Sequence, residues 1–575
     1  MKKIIKIILA AMILLSAGCT RNNNNNATPV KPEELTDVQK QFNELLRGWF
    51  IEDLKEDYLS VHVSLEHPEN YGLDKIKVDL GKVDDEDEEN IYKGRLEELK
   101  KFKVADLTDY QAVSYKAVEE QLGLFSDLFD CEADCFFLFT PNSGVNNNLI
   151  TNYTEFEFRN EKDVQDFITI LKDTGRYFDE CIEYTKDQAE EGNIQTDATI
   201  DNIIEQCELF ISKRSDNEII KVACDRISKM GLANASTYEK EIREAVTGII
   251  IPSYEKVIAM YKELKGTGKT SGRLSDYEHG KEFYELLFRR KTGCNVSVES
   301  MFNEMIKAEE DIIDQFFSLG RFNETASYGF NDPEKILNHL KKSMVKDFPA
   351  IPEVDFVVSF LDPSVVTENT VAYYLVAPYD NYKKNVVRMN PNFDDSNELC
   401  ITLAHEGYPG HLYQFTYFLA NHDNAEYMYN YDCLGYTEGW AQYVEGLSFN
   451  YFLKNKNEIK YNQLNDRFSY YLYGIVDMGV NYMGWQVKDV ADFMDKHYFN
   501  GGAAQMLYDV VTGDPGLYLP YSVGYYKMWS NYENAMKQLG DRFSLSDYNK
   551  VILDSGCLPF DVLEEQIRKY ISSVK

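Results

Sequence analysis

The 575-residue sequence predicts a mainly α-helical protein with one small β-sheet that precedes a histidine-bearing helix. Amphipathic stretches with apolar residues three and four positions apart recur along most of the chain, which is the period of a helix with one buried face. Between residues 350 and 390, prolines and runs of β-branched and aromatic residues replace this pattern. With 44% hydrophobic residues, the chain can bury a large core.

The first 28 residues differ from the rest and predict a secretion signal with a lipid anchor. Three lysines within the first six residues are followed by a short apolar run, by small residues and then by Cys19. This order is typical of a bacterial signal peptide, and the cysteine at the cleavage point indicates lipidation, although an ordinary signal peptide with an incidental cysteine gives the same pattern. Residues 1–28 are interpreted as a lipoprotein signal and Asn-rich tether. The mature protein is then extracytoplasmic and anchored to the cell membrane through Cys19.

Composition limits the partners of the chain. The formal net charge is −35 at pH 7, and such acidity repels nucleic acid, so no nucleic-acid partner is expected. Of the ten cysteines, lipidation of Cys19 leaves nine, which are scattered along the chain. An odd, scattered set does not predict a disulfide framework, and whether any two of them pair is left open.

Residues 29–348 predict an N-terminal helical region. Thr36 and Gln39 have the spacing of a capping box, and Phe42 and Leu46 then follow on one helical face. Further amphipathic stretches predict helices near 107–129, 161–190, 197–213, 218–231, 236–265, 296–318 and 333–345.

Residues 349–575 predict a C-terminal region with a small sheet and the metal-binding helices. Pro349 and Pro352 break the helical pattern at its start. Three β-branched and aromatic runs follow and predict strands, at 356–360, 370–376 and 385–389. Helical patterns return from about residue 397 to the C-terminus.

Two of the eight histidines lie close together in the segment HEGYPGH, residues 405–411. A zinc-binding helix usually carries two histidines four residues apart, with a glutamate beside the first. Here the spacing is six, which on a regular helix turns the second imidazole about 240° from the first. Pro409 breaks a helix and Gly410 tolerates unusual dihedral angles. Pro409 and Gly410 together therefore predict a local loop that returns His411 to the helical face of His405.

A third metal ligand is predicted on a following helix. Glu438 lies 27 residues after His411, and Glu445 follows seven residues later on nearly the same helical face. Two histidines and one glutamate leave a fourth position open, which is the pattern of a catalytic zinc site. Glu406 is then the candidate general base, and Glu445 the residue that orients a ligand histidine. Taken singly, Glu438 also fits a charge at a helix N-terminus, and His411 a core histidine.

Two signatures in this region resemble those of a bacterial family, the domain-of-unknown-function family 885. The segment HEGYPGH at 405–411 is similar to its H-E-x-x-P-G-H, and EGWA at 438–441 to its E-G-W-A. Weaker similarities extend over most of the mature chain, at 66–72, 477–485, 514–524 and 539–559. The resemblance implies a zincin-like metallopeptidase with a helical body, commonly a lipoprotein. Asn481 and Asn549 stand where it leads us to expect histidine.

Together these features predict a membrane-anchored, extracytoplasmic zinc metallopeptidase whose substrates are short peptides. His405, His411 and Glu438 are the predicted zinc ligands, and Glu406 is the predicted base. Tyr521 lies in a Y-x-x-G segment covered by the resemblance and is the predicted donor to the oxyanion, although it also fits a packing aromatic.

The substrate and the chemistry are open to more than one interpretation. The strand near 385–390 is expected to bind an extended peptide by edge pairing. The alternative functions are a zinc-dependent hydrolase of a non-peptide amide or ester, and a catalytically inactive, zinc-containing binding lipoprotein. Glu406 argues against the binding protein, because a purely structural zinc site does not need that carboxylate.

Overall fold

The computed structural model describes residues 35–83, 87–319, 327–361 and 371–575. The predicted signal, the tether and the lipidation site Cys19 lie outside these ranges. Within them the protein is mainly α-helical, with one three-stranded sheet that precedes the helix bearing His405, as the sequence predicts. No helix in these ranges has both the length and the apolar character needed to cross a bilayer.

Twenty-three α-helices are present in the described ranges. In chain order they are α1 (Asp37–Leu54), α2 (Tyr58–Ser64), α3 (Glu88–Leu99), α4 (Asp109–Asp130), α5 (Val145–Glu155), α6 (Glu161–Glu190), α7 (Asp197–Ser212), α8 (Glu218–Met230), α9 (Ala235–Ala245), α10 (Ile251–Leu264), α11 (Gly280–Thr292), α12 (Val298–Leu319), α13 (Pro333–Ser343), α14 (Ser396–Glu406), α15 (His411–Asn421), α16 (Glu426–Tyr429), α17 (Leu434–Phe452), α18 (Lys456–Asn481), α19 (Val487–Lys496), α20 (Ala504–Gly513), α21 (Leu519–Leu539), α22 (Leu545–Ser555) and α23 (Phe560–Val574).

The predicted N-terminal helices are confirmed. Thr36 and Gln39 form the expected capping box at the start of α1, each side chain accepting from the other residue's backbone N–H. Every amphipathic stretch predicted between 107 and 345 coincides with helix to within two residues at each end. The stretch at 236–265 is divided between α9 and α10 by a π-helical turn, Val246–Ile250.

The sheet contains the three predicted strands, β1 (Asp355–Phe360), β2 (Ala372–Leu375) and β3 (Lys384–Met389). Their order is β1-β3-β2, with β1 parallel and β2 antiparallel to β3. The expectation that the strand near 385–390 offers a free edge is wrong, because β3 is central and both of its edges are hydrogen-bonded. The strand beside the candidate site is β2, and no described strand pairs with its other edge.

Buried apolar side chains form two main clusters. The larger joins α1, α3 and α4 to α11–α13, the sheet and the C-terminal helices. The smaller is built mainly from α5–α10, and α2 contributes to both. The division of the chain at 348/349 stays a prediction. The nine cysteines of the described ranges are free thiols, which agrees with the expectation of no disulfide framework.

Helices α17 and α21 approach each other closely because glycines lie at their contact. A Cβ atom on Gly439 would lie 2.6 Å from the carbonyl carbon of Gly524, and one on Gly524 would lie 2.2 Å from the carbonyl oxygen of Gly435. Both distances are shorter than any side chain allows, so these positions require glycine. The close contact brings Tyr521, at the start of α21, next to Glu438 on α17.

Candidate metal centre

The loop between α14 and α15 determines where the two histidines point. Helix α14 ends at Glu406 and α15 begins at His411, so the predicted interruption is confirmed. The loop folds back on α14, since the Gly410 N–H donates to the carbonyl of Ala404 at 2.9 Å. A Cβ atom on Gly410 would lie 1.6 Å from the carbonyl oxygen of His405, so glycine is required at this close approach.

Trp440 of the EGWA segment holds this loop against α17. Its indole Nε1–H donates to the carbonyl of Pro409 at 3.1 Å, and the side chain is fully buried. The loop between the two histidines is therefore tied to the helix that carries Glu438.

His405, His411 and Glu438 converge on one point. The two imidazole rings have centroids 4.8 Å apart and planes at 84°. Nε2 of each histidine lies 3.5 Å from Oε2 of Glu438. Two ligand atoms on a tetrahedral zinc ion lie about 3.3 Å apart, so this spacing matches such a site.

The outer nitrogens of both imidazoles have oxygen partners. Nδ1 of His405 lies 3.1 Å from Oε2 of Glu445, and Nδ1 of His411 lies 3.3 Å from Oε1 of Gln414. A proton on each Nδ1 leaves each Nε2 with a lone pair directed at the shared point, as in metal sites with oriented histidines. Glu445 therefore lies where the sequence predicts the orienting residue.

The ionisable groups of the triad stabilise one another's charges. Burial disfavours a charge on His405, but the nearby Glu438 and Glu445 carboxylates outweigh it and raise the pKa of this histidine well above its usual value. Burial likewise opposes ionisation of Glu438, yet His411 and His405 lower its pKa to about 2. Positive charge is thus stabilised at the position where the three donor atoms meet.

The donor set fits a zinc ion. Oε2 of Glu438 is buried and makes no hydrogen bond of good geometry among the described residues. A cation held at this point would satisfy a buried carboxylate oxygen that faces two imidazole nitrogens. Two imidazoles and one carboxylate are typical ligands of catalytic zinc, and this is the one such cluster in the described part of the chain.

Glu406 lies beside the triad and is not one of its converging groups. Its Oε2 accepts from the backbone N–H of Tyr374 at 2.8 Å, and its Oε1 is 3.9 Å from Nε2 of His405. Burial raises the pKa of Glu406, and the adjacent histidines oppose this rise. The hydrogen bond from β2 fixes the carboxylate at the edge of the metal centre, which is the position a general base needs.

Tyr521 lies in the cavity wall beside Glu438. Burial and the neighbouring Glu438 and Glu406 carboxylates raise its pKa well above the usual value, so the phenol keeps its proton. It is therefore placed and protonated as a donor, and its catalytic role stays a prediction.

A cavity of about 220 Å³ opens onto the metal centre. Besides the triad and Glu406, its wall includes Ser60 and Ser64 of α2, Tyr373 and Tyr374 of β2, and residues 429–434, which run from the end of α16 to the start of α17. Helix α2 and strand β2 therefore line the same cavity.

Several of these contacts were not predicted from the sequence. Gln414 is three residues after His411 on α15, and this spacing is the signal that could have identified it. Tyr374 contributes its backbone N–H, and the sequence cannot identify this contact because almost every residue type has the same group. Asn481 and Asn549, where histidine was expected, are fully buried in hydrogen-bonded networks and do not line the cavity.

Comparison with known proteins identifies one family and two solved structures of similar fold. The family described as bacterial protein of unknown function (DUF885) matches residues 70–567. A putative lipoprotein from Colwellia psychrerythraea has a similar structure, with a TM-score of 0.79 at 16% identity over 94% of this chain and 100% of that chain. A putative lipoprotein of unknown function from Shewanella oneidensis has a TM-score of 0.60 at 16% identity over 92% and 99%. No curated protein matches. At such identity these likenesses show the fold alone.

Proposed function

The chain belongs to the DUF885 family of bacterial proteins. We propose that it is a zinc-dependent hydrolase of peptide bonds, with a zincin-like metal centre. The observation that carries the proposal is the convergence of His405, His411 and Glu438 beside the Glu406 carboxylate in one cavity. A structural metal site is normally closed by four protein ligands, whereas this cluster has three and opens onto a cavity.

Each residue of the centre has a distinct part in this proposal. His405, His411 and Glu438 hold zinc, which when bound supplies a Lewis acid that polarises a carbonyl group and acidifies water. Glu406, fixed by the Tyr374 N–H, accepts the proton of the attacking water and passes it to the leaving amine. The Tyr521 hydroxyl donates a hydrogen bond to the developing oxyanion.

The unpaired edge of β2 supports a peptide as the substrate. An extended peptide can add to a sheet edge through backbone hydrogen bonds, and this edge lines the cavity beside Glu406. Helix α2 lines the same cavity, so the space suits short peptides better than a folded protein.

Digestion of a diverse peptide library by zinc-loaded protein tests the function. We expect cleavage of short peptides that stops when a chelator removes the metal and returns when zinc is restored. Protein loaded with one zinc per chain that cleaves no peptide would refute the peptidase proposal. Cleavage of amide or ester compounds in the same assay would then favour the non-peptide hydrolase.

We also propose that the protein is attached to the outer face of the cell membrane through a lipid on Cys19. Support comes from the signal pattern that ends at Cys19 and from the two structural neighbours, both described as putative lipoproteins. Cys19→Ser removes the thiol that would be lipidated, so we expect the variant to leave the membrane fraction. Cys224→Ser, a change at a thiol far along the chain, is the control. Unchanged membrane fractionation of Cys19→Ser would contradict the anchor.

A further inference from the structure

Asp432 is an acidic side chain in the cavity wall that the proposed hydrolytic chemistry does not use. It lies between α16 and α17 and lines the same cavity as Glu406 and Glu438. The side chain is half-buried, and no described residue lies within hydrogen-bond or ion-pair distance of its carboxylate. A carboxylate at the rim of the cavity that no described side chain pairs with is available to a ligand of opposite charge.

The residues on either side fix the position of Asp432. The Tyr431 hydroxyl donates to the carbonyl of Ala117 at 2.9 Å, and the Cys433 thiol donates to the carbonyl of Leu558 at 3.3 Å. Asp432 precedes the N-terminus of α17 but makes no capping hydrogen bond there. The backbone at Asp432 is therefore held in place on both sides, and its carboxylate is not used to build the helix end.

Three cationic side chains lie near Asp432 without forming an ion pair with it. Lys291 of α11 interacts electrostatically with Asp514 and, less strongly, with Asp432. Arg289 and Arg290 line a separate, smaller cavity together with Asp432. None of these cations lines the metal-centre cavity, in whose described wall Asp432 is the one acidic side chain besides Glu406 and Glu438.

Resting on the hydrolase function proposed above, we propose that Asp432 determines specificity by binding a positively charged group of the substrate. That group is the terminal ammonium of the peptide or the side chain of a lysine or arginine. A cation at Asp432 gains a charge-assisted hydrogen bond to a carboxylate that no group of the described residues occupies. The peptide backbone lies along β2 at the same time, because both features line one cavity.

Matched peptide pairs test this inference. One pair differs by acetylation of the amino terminus, and a second by norleucine in place of lysine. We expect wild-type protein, stripped of metal so that it cannot hydrolyse them, to bind the cationic member of at least one pair about 10- to 100-fold more tightly in calorimetry. Asp432→Asn should remove this preference and leave binding of the neutral peptide unchanged. The peptide pair for which Asp432→Asn no longer prefers the cationic member shows whether the amino terminus or the lysine side chain binds Asp432.

Two further variants keep the test decisive. Asp432→Glu retains the charge and should retain most of the preference, which separates loss of charge from misfolding. Asp423→Asn is the matched control, because Asp423 is exposed and does not line the cavity. No preference in wild type, or an equal preference in Asp432→Asn, would overturn the inference. A preference without hydrolysis by the zinc-loaded protein would instead refute the proposed hydrolase and leave a cation-binding cavity.

Discussion

Replacing Glu406 by glutamine is expected to lower peptide hydrolysis by about 10²- to 10⁴-fold while zinc remains bound, since this is the usual contribution of general acid–base catalysis. The substitution keeps the size of the side chain and removes its capacity to take a proton. A glutamine oxygen can still accept from the Tyr374 N–H, so the end of α14 and strand β2 keep their contact. Zinc stoichiometry by elemental analysis and kcat on a cleaved peptide are the two measurements.

A matched variant separates loss of the base from a general effect of removing a carboxylate. Glu334 lies on α13, which packs against α14, is exposed and does not line the cavity. Glu334→Gln should therefore leave kcat unchanged. If Glu406→Gln cleaves peptides as fast as wild type with zinc in place, Glu406 is not the base and the assigned chemistry is wrong.

Removal of a metal ligand is expected to abolish zinc binding and hydrolysis together. His405→Ala and Glu438→Ala each leave two of the three ligands, and each leaves buried charged groups without a partner. Glu445→Gln keeps all three ligands but weakens the partner of His405 Nδ1, so we expect it to lower zinc affinity by about 10- to 100-fold without abolishing binding. Competition with a chromophoric chelator measures this graded series.

Thermal unfolding gives an independent readout of the same series. Zinc that binds the folded chain raises Tm, so wild type should gain stability on zinc addition and His405→Ala should not. His67→Ala is the control, because His67 is exposed and pairs with Glu69 outside the cavity. Stoichiometric zinc in His405→Ala would contradict the assignment of the ligands.

Local sequence patterns predict the helices, the strands and the residue types at the candidate metal centre. Local signals carry this information, because capping boxes and the apolar period of a helix depend on residues a few positions apart. Thr36 with Gln39 predicted the start of α1, and Pro409 with Gly410 predicted the interruption between the two histidines. The fit of His405 and His411 to a metal also followed from spacing, once that interruption was taken into account.

Packing between distant segments determines which groups meet across the fold. Strand order depends on contacts between distant segments, and for this reason the sequence placed the peptide-binding edge at 385–390 when β3 is in fact central. The hydrogen bond from Tyr374 to Glu406 comes from a backbone N–H that any residue would supply. Asp432 resembles any other surface acid in the sequence. Packing of α17 against the rest of the core places it in the cavity of the candidate metal centre, where no residue of the described ranges pairs with it.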